Sequence, residues 1–173
     1  MTRTILQHTM LFILLVLAQA VVFNNLCLYS IAFPLVFIYF ILRLPIDLHV
    51  NWVLTLSFIL GLTIDIFSDT QGLNALCCTT LGVLRRPLLH LYVLRDEDLA
   101  GAEPSIKSLG MVVYMKYLFT MTLIYCFLYF VVEAFTWFNP LRLLLRIAAS
   151  FVFTFILILG IDSLTLRRNA KRL

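Results

Sequence analysis

The stretch GLTIDIFSDTQG, residues 61–72, contains two of the nine acidic residues of this 173-residue chain. It lies between two strongly apolar runs, 53–60 and 73–84. A carboxylate this close to hydrocarbon is costly unless it has a partner or water around it. Asp65 therefore requires either a partner or a polar surrounding.

The composition of the whole chain is that of an integral membrane protein. Hydrophobic residues make up 62% of it and charged residues 13%, against about 25% charged residues in a soluble domain. A soluble domain of about 150 residues buries only about 70% of its surface, which is too little to hide so many apolar side chains. The apolar runs are continuous and do not alternate with polar residues, so they indicate helices.

These runs predict an all-α, multi-pass protein that forms one domain, residues 1–173, with about six transmembrane helices. A spanning helix needs about 20 apolar residues. The predicted spans are 5–23, 26–42, 50–66, 72–84 or to 94, 109–132 and 143–162. Pro34 is expected to kink the second span. Arg85-Arg86-Pro87 favours a short fourth helix with an interfacial segment after it, and continuation to residue 94 is the alternative.

The basic residues divide unevenly between the two sides of such a bundle. With Lys116 left aside, ten of the other twelve lie on one side, and two, Arg142 and Arg146, lie on the other. Basic residues collect on cytoplasmic loops, so both termini are predicted to be cytoplasmic and Asp65 to face outward. The net charge of +4 then reflects topology beside a lipid bilayer, and no nucleic-acid partner is expected. One alternative is that Arg3, the apolar run and Ala18-Gln19-Ala20 form a cleaved signal peptide.

Small residues line one face of the third predicted helix and one face of the fourth. Such residues allow membrane helices to approach closely, so we predict that these two helices pack as an antiparallel hairpin closed by residues 65–72. The spacings are four and four in the third helix, and three, four and three in the fourth. The residues are Ser57, Gly61 and Asp65, followed by Gly72, Ala75, Thr79 and Gly82.

Three environments are open for Asp65 on sequence grounds. It can be exposed to lipid headgroups at a helix end, hydrogen-bonded to amides of the following turn, or paired with Arg142 or Arg146 across the bundle. Asp69 or Thr70 is the expected N-cap of the fourth helix, because Asp and Thr side chains accept hydrogen bonds from the first free amides.

Asp162 is the second acid associated with a long apolar run, residues 147–161. We expect it to lie at the cytoplasmic interface and pair with Arg167 or Arg168, with a buried structural or relay carboxylate as the alternative. The polar loop 95–108 is either a docking site or a solvated connection. Interhelical hydrogen bonds are expected from three polar residues within spans: Gln19, Thr120 and Thr122.

The sequence shows no grouping that supports catalysis, a cofactor or a metal ion. The three histidines lie near different helix ends, and the four cysteines have neither CxxC spacing nor a neighbouring histidine, which favours buried thiols. No Ser/His/Asp grouping, P-loop or HExxH motif is present. We therefore predict a protein that is not an enzyme.

The pattern Gly61-x3-Asp65-x6-Gly72-x2-Ala75, together with the chain length, the six predicted spans and the basic C-terminal tail, resembles the MreD family of bacterial rod shape-determining proteins. The resemblance implies a scaffold of the cell-elongation machinery in the bacterial inner (plasma) membrane, where it organises peptidoglycan synthesis and cell shape. The implied partners are an MreC-like membrane protein, RodA and the elongation transpeptidase, and indirectly MreB filaments.

The resemblance also implies a fold similar to that of the substrate-binding subunits of energy-coupling-factor transporters. By the motif alone, Gly61, Asp65, Gly72 and Ala75 are nominated as structural or partner-contact residues. The alternative function is a small-molecule, vitamin-type binding subunit of a membrane transporter, with Asp65 and the outward loop near its site.

Overall fold

The structure, a computed structural model, describes residues 2–23, 33–92, 103–134 and 140–170. Within those ranges every regular element is a helix and no strand occurs. Three helices are long and apolar enough to cross a membrane, which fits a membrane protein: Val50–Ser68, Met111–Glu133 and Leu141–Ser163.

Nine helical segments follow one another along the described part of the chain. Helix α1, Thr2–Ala18, continues as a π-helical turn, Gln19–Phe23, and a 3-10 turn, Val36–Ile38, leads into the short α2, Tyr39–Arg43. The remaining helices are α3 (Val50–Ser68), α4 (Leu73–Tyr92), α5 (Ile106–Leu109), α6 (Met111–Glu133) and α7 (Pro140–Ala170). Helices α1, α3, α6 and α7 lie where the first, third, fifth and sixth spans were predicted.

The second predicted span, 26–42, is not one continuous helix. Residues 24–32 lie outside the described residues, and residues 33–35 are not helical. Pro34 has no backbone N–H and restricts the residue before it, and the next described helical turn begins at Val36. The expected kink is therefore a break, and only a short helical segment follows it.

This broken segment is tolerated because other helices satisfy its backbone. The N–H of Phe33 donates to Ser150 Oγ at 3.0 Å, and the N–H of Leu35 donates to Thr154 Oγ1 at 3.1 Å. Irregular backbone is found at membrane depth only where protein or water surrounds it. Residues 34–42 are all buried, so the segment forms the centre of the bundle.

Gln19 completes the same set of hydrogen bonds. Its Nε2 donates to the carbonyl of Pro34 at 2.9 Å, and its Oε1 accepts from the N–H of Val36 at 3.3 Å. The interhelical hydrogen bond predicted for Gln19 is confirmed, and both of its partners are backbone groups of the broken segment.

The fourth helix does not end at Arg85-Arg86-Pro87, and the preferred short helix was wrong. Helix α4 continues through Pro87 to Tyr92, and its 20 residues give a length of about 30 Å. Arg85 is buried and points inward, where its guanidinium donates to the carbonyls of Leu44 and Pro45 beyond the end of α2. Arg85 therefore lies inside the protein, whereas the sequence predicted that it would lie at the membrane interface.

Helices α3 and α4 form the predicted antiparallel hairpin, and they pack more extensively than any other pair of helices. A Cβ added at Gly61 would lie closer than 3.0 Å to backbone atoms of Asn74 and Ala75. Gly82 lies in the same way against Ser57. The small-residue faces are therefore the surfaces at which the two helices meet.

Candidate functional site

The carboxylate of Asp65 lies inside the hairpin and is 4% exposed. Its Oδ1 accepts hydrogen bonds from the hydroxyl of Thr70, from the backbone N–H of Asn74 at 2.9 Å and from the Asn74 side-chain amide at 3.0 Å. Its Oδ2 accepts from the backbone N–H of Ala75 at 2.8 Å. Both oxygens are thus occupied by donors from the following turn and helix.

These bonds make Asp65 the N-terminal cap of a helix to which it does not belong. Helix α4 begins at Leu73, so Asn74 and Ala75 occupy the second and third positions, whose amides have no partner within the helix. The residue before the helix, Gly72, has no side chain to supply an acceptor. The charge of Asp65 also lies at the positive end of the α4 dipole, where a carboxylate is stabilised.

The predicted N-cap at Asp69 or Thr70 was wrong. Asp69 instead ends α3 in the left-handed conformation, with φ of 53° and ψ of 39°, and its N–H donates to the carbonyl of Asp65. Thr70 contacts the Asp65 carboxylate and does not cap α4 directly. The turn is too tight for a local cap, and the acceptor therefore comes from the last turns of α3.

Neither arginine proposed as a partner for Asp65 pairs with it. Arg146 lies 3.5 Å from Glu133, and its guanidinium lies over the rings of Phe33 and Phe130 at 5.5 and 5.4 Å. Arg142 is exposed and has no ion pair within the described ranges. Hydrogen bonding to the following amides is the environment that the structure shows for Asp65.

Asn74 and Tyr125 extend this cluster to α6. The hydroxyl of Tyr125 donates to Asn74 Oδ1 at 2.9 Å, and its ring meets Phe37 edge-on with centroids 5.7 Å apart. Sequence reasoning missed both residues. The available signal was an asparagine inside the apolar run 73–84, since a buried amide needs partners.

Asp162 forms a second buried cluster on the other side of the fold, and it is 1% exposed. Its Oδ1 lies 3.2 Å from Nη2 of Arg43 and accepts a hydrogen bond from the hydroxyl of Tyr39 at 3.0 Å. Nε of Arg43 donates to the same hydroxyl at 2.8 Å. The arginine partner is therefore in α2, far away in sequence. The side chains of Arg167 and Arg168 lie outside the described residues.

Glu103 and His8 connect this cluster to α1 and to the segment before α5. Nη1 of Arg43 lies 3.5 Å from Glu103 Oε2, and Nε2 of His8 lies 3.6 Å from Glu103 Oε1. Burial lowers the pKa of Arg43, but the neighbouring Tyr39 and Asp162 outweigh burial and leave that pKa above its ordinary value. The guanidinium therefore stays charged and holds both carboxylates.

The loop 95–108, predicted as a docking or solvated segment, is described only from Glu103 onward. In that part, Ser105 caps α5 by accepting from the N–H of Ser108, whose hydroxyl accepts from the N–H of Ser105. The end of the loop is therefore held to the bundle by Glu103 and ordered by a capping box. The docking prediction for residues 95–102 lies outside the described residues.

The two threonines predicted as interhelical hydrogen bonders differ. Thr120 Oγ1 lies 2.9 Å from the hydroxyl of Tyr92 on α4, which confirms that prediction. Thr122 is buried, but its hydroxyl has no hydrogen-bond partner among the described residues, so that prediction was wrong.

The described residues contain no group of three or more His, Cys, Asp or Glu side chains arranged to hold a metal ion. Cys77, Cys78 and Cys126 are free and buried, and Cys27 lies outside the described residues. The contacts of Asp65 join the end of α3 to the start of α4. The contacts of Asp162 join α7 to α2 through an ion pair with Arg43.

No family model matches the chain, and neither a curated protein nor a solved structure matches it. The resemblance to the MreD family therefore stays a prediction from the motif.

Proposed function

We propose that this chain is a non-enzymatic scaffold of the MreD type in a bacterial inner membrane, with six spans and both termini in the cytoplasm. In this proposal it binds the transmembrane helices of an MreC-like protein, RodA and the elongation transpeptidase, and so helps to organise peptidoglycan synthesis. The support comes from the way in which the four motif residues are used.

The main support for the proposal is that all four motif residues belong to the hairpin of α3 and α4. Gly61 lies against Ala75, Asp65 accepts the N–H of Ala75, and Gly72 occupies the turn between the helices with φ of +78°. The motif thus builds a rigid hairpin and leaves no oxygen of Asp65 free for chemistry. A rigid frame is what a scaffold needs to present its outer surfaces at fixed positions.

Gly61 cannot itself be the surface that a partner contacts, because it is already covered by α4. A different face of the chain is open to a partner helix. Four residues of α7 recur every fourth position and are all exposed, with a small residue at each end of the stripe: Ala148, Val152, Ile156 and Gly160. Residues at this spacing lie on one face of the helix, so the stripe offers a partner helix an exposed apolar face, and we assign the partner-binding face to it.

Gly160 provides the sharpest test of that face. A Cβ added there meets nothing within 4 Å, so Gly160→Leu is expected to fold and insert normally. It should nevertheless reduce co-purification of the MreC-like partner about fivefold or more, since overpacking at a helix interface costs about 1–3 kcal/mol. Leu62→Ala, on the exposed side of α3, is the matched control and should leave co-purification unchanged. If the Gly160→Leu variant co-purifies with the partner as well as the wild-type chain does, the partner does not bind this face of α7.

Depletion of the protein from its source bacterium tests the function itself. Rod-shaped cells should become round and should regain their shape when the wild-type chain is restored, but not when Gly160→Leu is supplied. Unchanged cell shape after depletion would contradict the proposal. A thermal-shift screen of the purified chain against vitamins separates the alternative, because saturable stabilisation by a vitamin would favour the transporter subunit over the scaffold.

A further inference from the structure

An open cleft between α4, α6 and α7 carries one cation against an aromatic wall. Its volume is about 430 Å³, within the range of roughly 300–1,000 Å³ for ligand sites. The wall is built by Phe119, whose ring meets those of Phe151 and Phe155 edge-on at 4.9 and 5.9 Å. The lining residues are Tyr92, Met115, Lys116, Phe119, Thr120 and Phe155.

The other polar groups of the cleft are already used within the protein. The hydroxyl of Thr120 donates to the carbonyl of Lys116 at 2.9 Å, so in the contact between Thr120 and Tyr92 the tyrosine is the donor. The Lys116 ammonium makes no ion pair with any residue that the structure describes. Among the described residues that line the cleft, it is the polar group left to bind an external partner.

The position of Lys116 along α6 separates the cleft into a charged end and an apolar end. Lys116 lies five residues after Met111, where α6 begins, which corresponds to about 7.5 Å along the helix axis. Helical side chains lean toward the N-terminus, and a lysine stem can extend its ammonium to the membrane surface. Phe119 lies deeper in the same helix, so the aromatic wall follows the cation inward.

We propose that this cleft binds one anionic phospholipid, with its phosphate on Lys116 and an acyl chain along Phe119 and Phe155. The charge of the cleft fits an anion, while its aromatic wall needs an apolar chain to cover it. A zwitterionic lipid carries its own cation beside the phosphate and should bind less well. This step rests on the proposed function: with both termini in the cytoplasm, this end of α6 faces the leaflet in which anionic lipids attract basic residues.

Native mass spectrometry of the full-length protein in detergent tests the proposal. Equal amounts of dioleoylphosphatidylglycerol and dioleoylphosphatidylcholine are added, and retained lipid is counted. The wild-type chain should retain one phosphatidylglycerol in preference to phosphatidylcholine. Lys116→Gln should lower that retention about fivefold, the factor that corresponds to about 1 kcal/mol per basic residue near an anionic surface, and Lys116→Arg should preserve it.

Two further variants separate a built site from general surface charge. Arg86→Gln removes an exposed cation of α4 that does not line the cleft, and it should leave retention unchanged. Met115→Trp places a larger side chain in the cleft and should lower retention while Lys116 is intact. Equal losses in Lys116→Gln and Arg86→Gln would overturn the proposal, and so would equal retention of the two lipids. Binding of a partner helix in the cleft, detected by crosslinking from position 155, would also overturn it.

Discussion

The two buried carboxylates in the part of the chain that the structure describes, Asp65 and Asp162, are stabilised in different ways. Asp65 accepts hydrogen bonds from neutral donors that follow it within ten residues. Asp162 forms an ion pair with Arg43, which lies in the other half of the sequence. Oδ2 of Asp162 has no hydrogen-bond partner within the described residues, whereas both oxygens of Asp65 are used.

The contacts of Asp65 lie within one hairpin, whereas the contacts of Asp162 join helices that are distant in sequence. The Asp65 bonds form as soon as α3 and α4 turn back on each other, so they define a hairpin that is complete in itself. The Asp162 bonds require α2 and α7 to be in place, because neither Tyr39 nor Arg43 is near it in sequence. We therefore expect substitutions at Asp65 to affect the hairpin and substitutions around Asp162 to affect assembly of the whole bundle.

The largest effect is expected from Arg43→Met. Removing one partner of a buried ion pair costs about 3–5 kcal/mol, because the remaining charge is left buried without compensation. The free energy of unfolding, measured by circular dichroism during titration of dodecyl maltoside micelles with sodium dodecyl sulfate, should fall by that amount.

The double variant Arg43→Met, Asp162→Asn is the control for that prediction. It removes the charge that Arg43→Met leaves uncompensated, so it should be more stable than Arg43→Met alone. If the second substitution adds a further loss, the cost of the first does not come from an uncompensated Asp162 charge, and the contrast with Asp65 fails.

A smaller loss is expected from Asp65→Ala. Loss of an N-cap costs about 0.5–2 kcal/mol, a range that already includes the amides left without an acceptor, so we expect a loss of about 2 kcal/mol in the same assay. Asp69→Asn is the control, because Asp69 is exposed and asparagine tolerates its left-handed conformation. A loss for Asp69→Asn as large as that for Asp65→Ala would contradict the capping role.

Gly72→Ala should cost about 1–2 kcal/mol, since its φ of +78° is unfavourable for a residue with a Cβ. A Cβ there meets no atom within 4 Å, so the backbone conformation is the whole cause. Gly160→Ala is the matched comparison, because it also adds a Cβ in open space but lies within a helix, where alanine is favoured by up to about 1 kcal/mol. Gly72→Ala should therefore lower the free energy of unfolding, and Gly160→Ala should raise it. If both substitutions change it in the same direction, the backbone conformation of Gly72 is not the cause.

The hairpin could be predicted from sequence because its determinants are local. Small residues at helical spacing identify the faces of α3 and α4. The capping residue was not identified in this way, because Asp69 or Thr70 was predicted and Asp65 accepts the amides of α4 instead. The broken segment after Pro34 could not be predicted in the same way. Its stability comes from Gln19, Ser150 and Thr154, which are distant in sequence, and nothing in the run 26–42 itself encodes them.

The partners of the charged residues were also beyond the reach of sequence reasoning. Nearby arginines were assigned to Asp162 and Asp65 by proximity or by side of the membrane, but the actual partner of Asp162 is Arg43. Arg85 was placed at the interface because a cation ordinarily avoids hydrocarbon. The carbonyls of Leu44 and Pro45 stabilise it inside, and these carbonyls become available only when α2 ends beside α4.

The smallest effect is expected at Thr122. The sign of the change in the free energy of unfolding there distinguishes a buried hydroxyl without a partner from one that is hydrogen-bonded. A buried hydroxyl without a hydrogen bond is unfavourable, so Thr122→Val should leave stability unchanged or raise it by up to about 1 kcal/mol. Thr154→Val removes the acceptor of the Leu35 N–H and should cost about 1–3 kcal/mol. If Thr122→Val is as costly as Thr154→Val, the Thr122 hydroxyl has a partner, and the polar contacts of α6 extend beyond Tyr125 and Thr120.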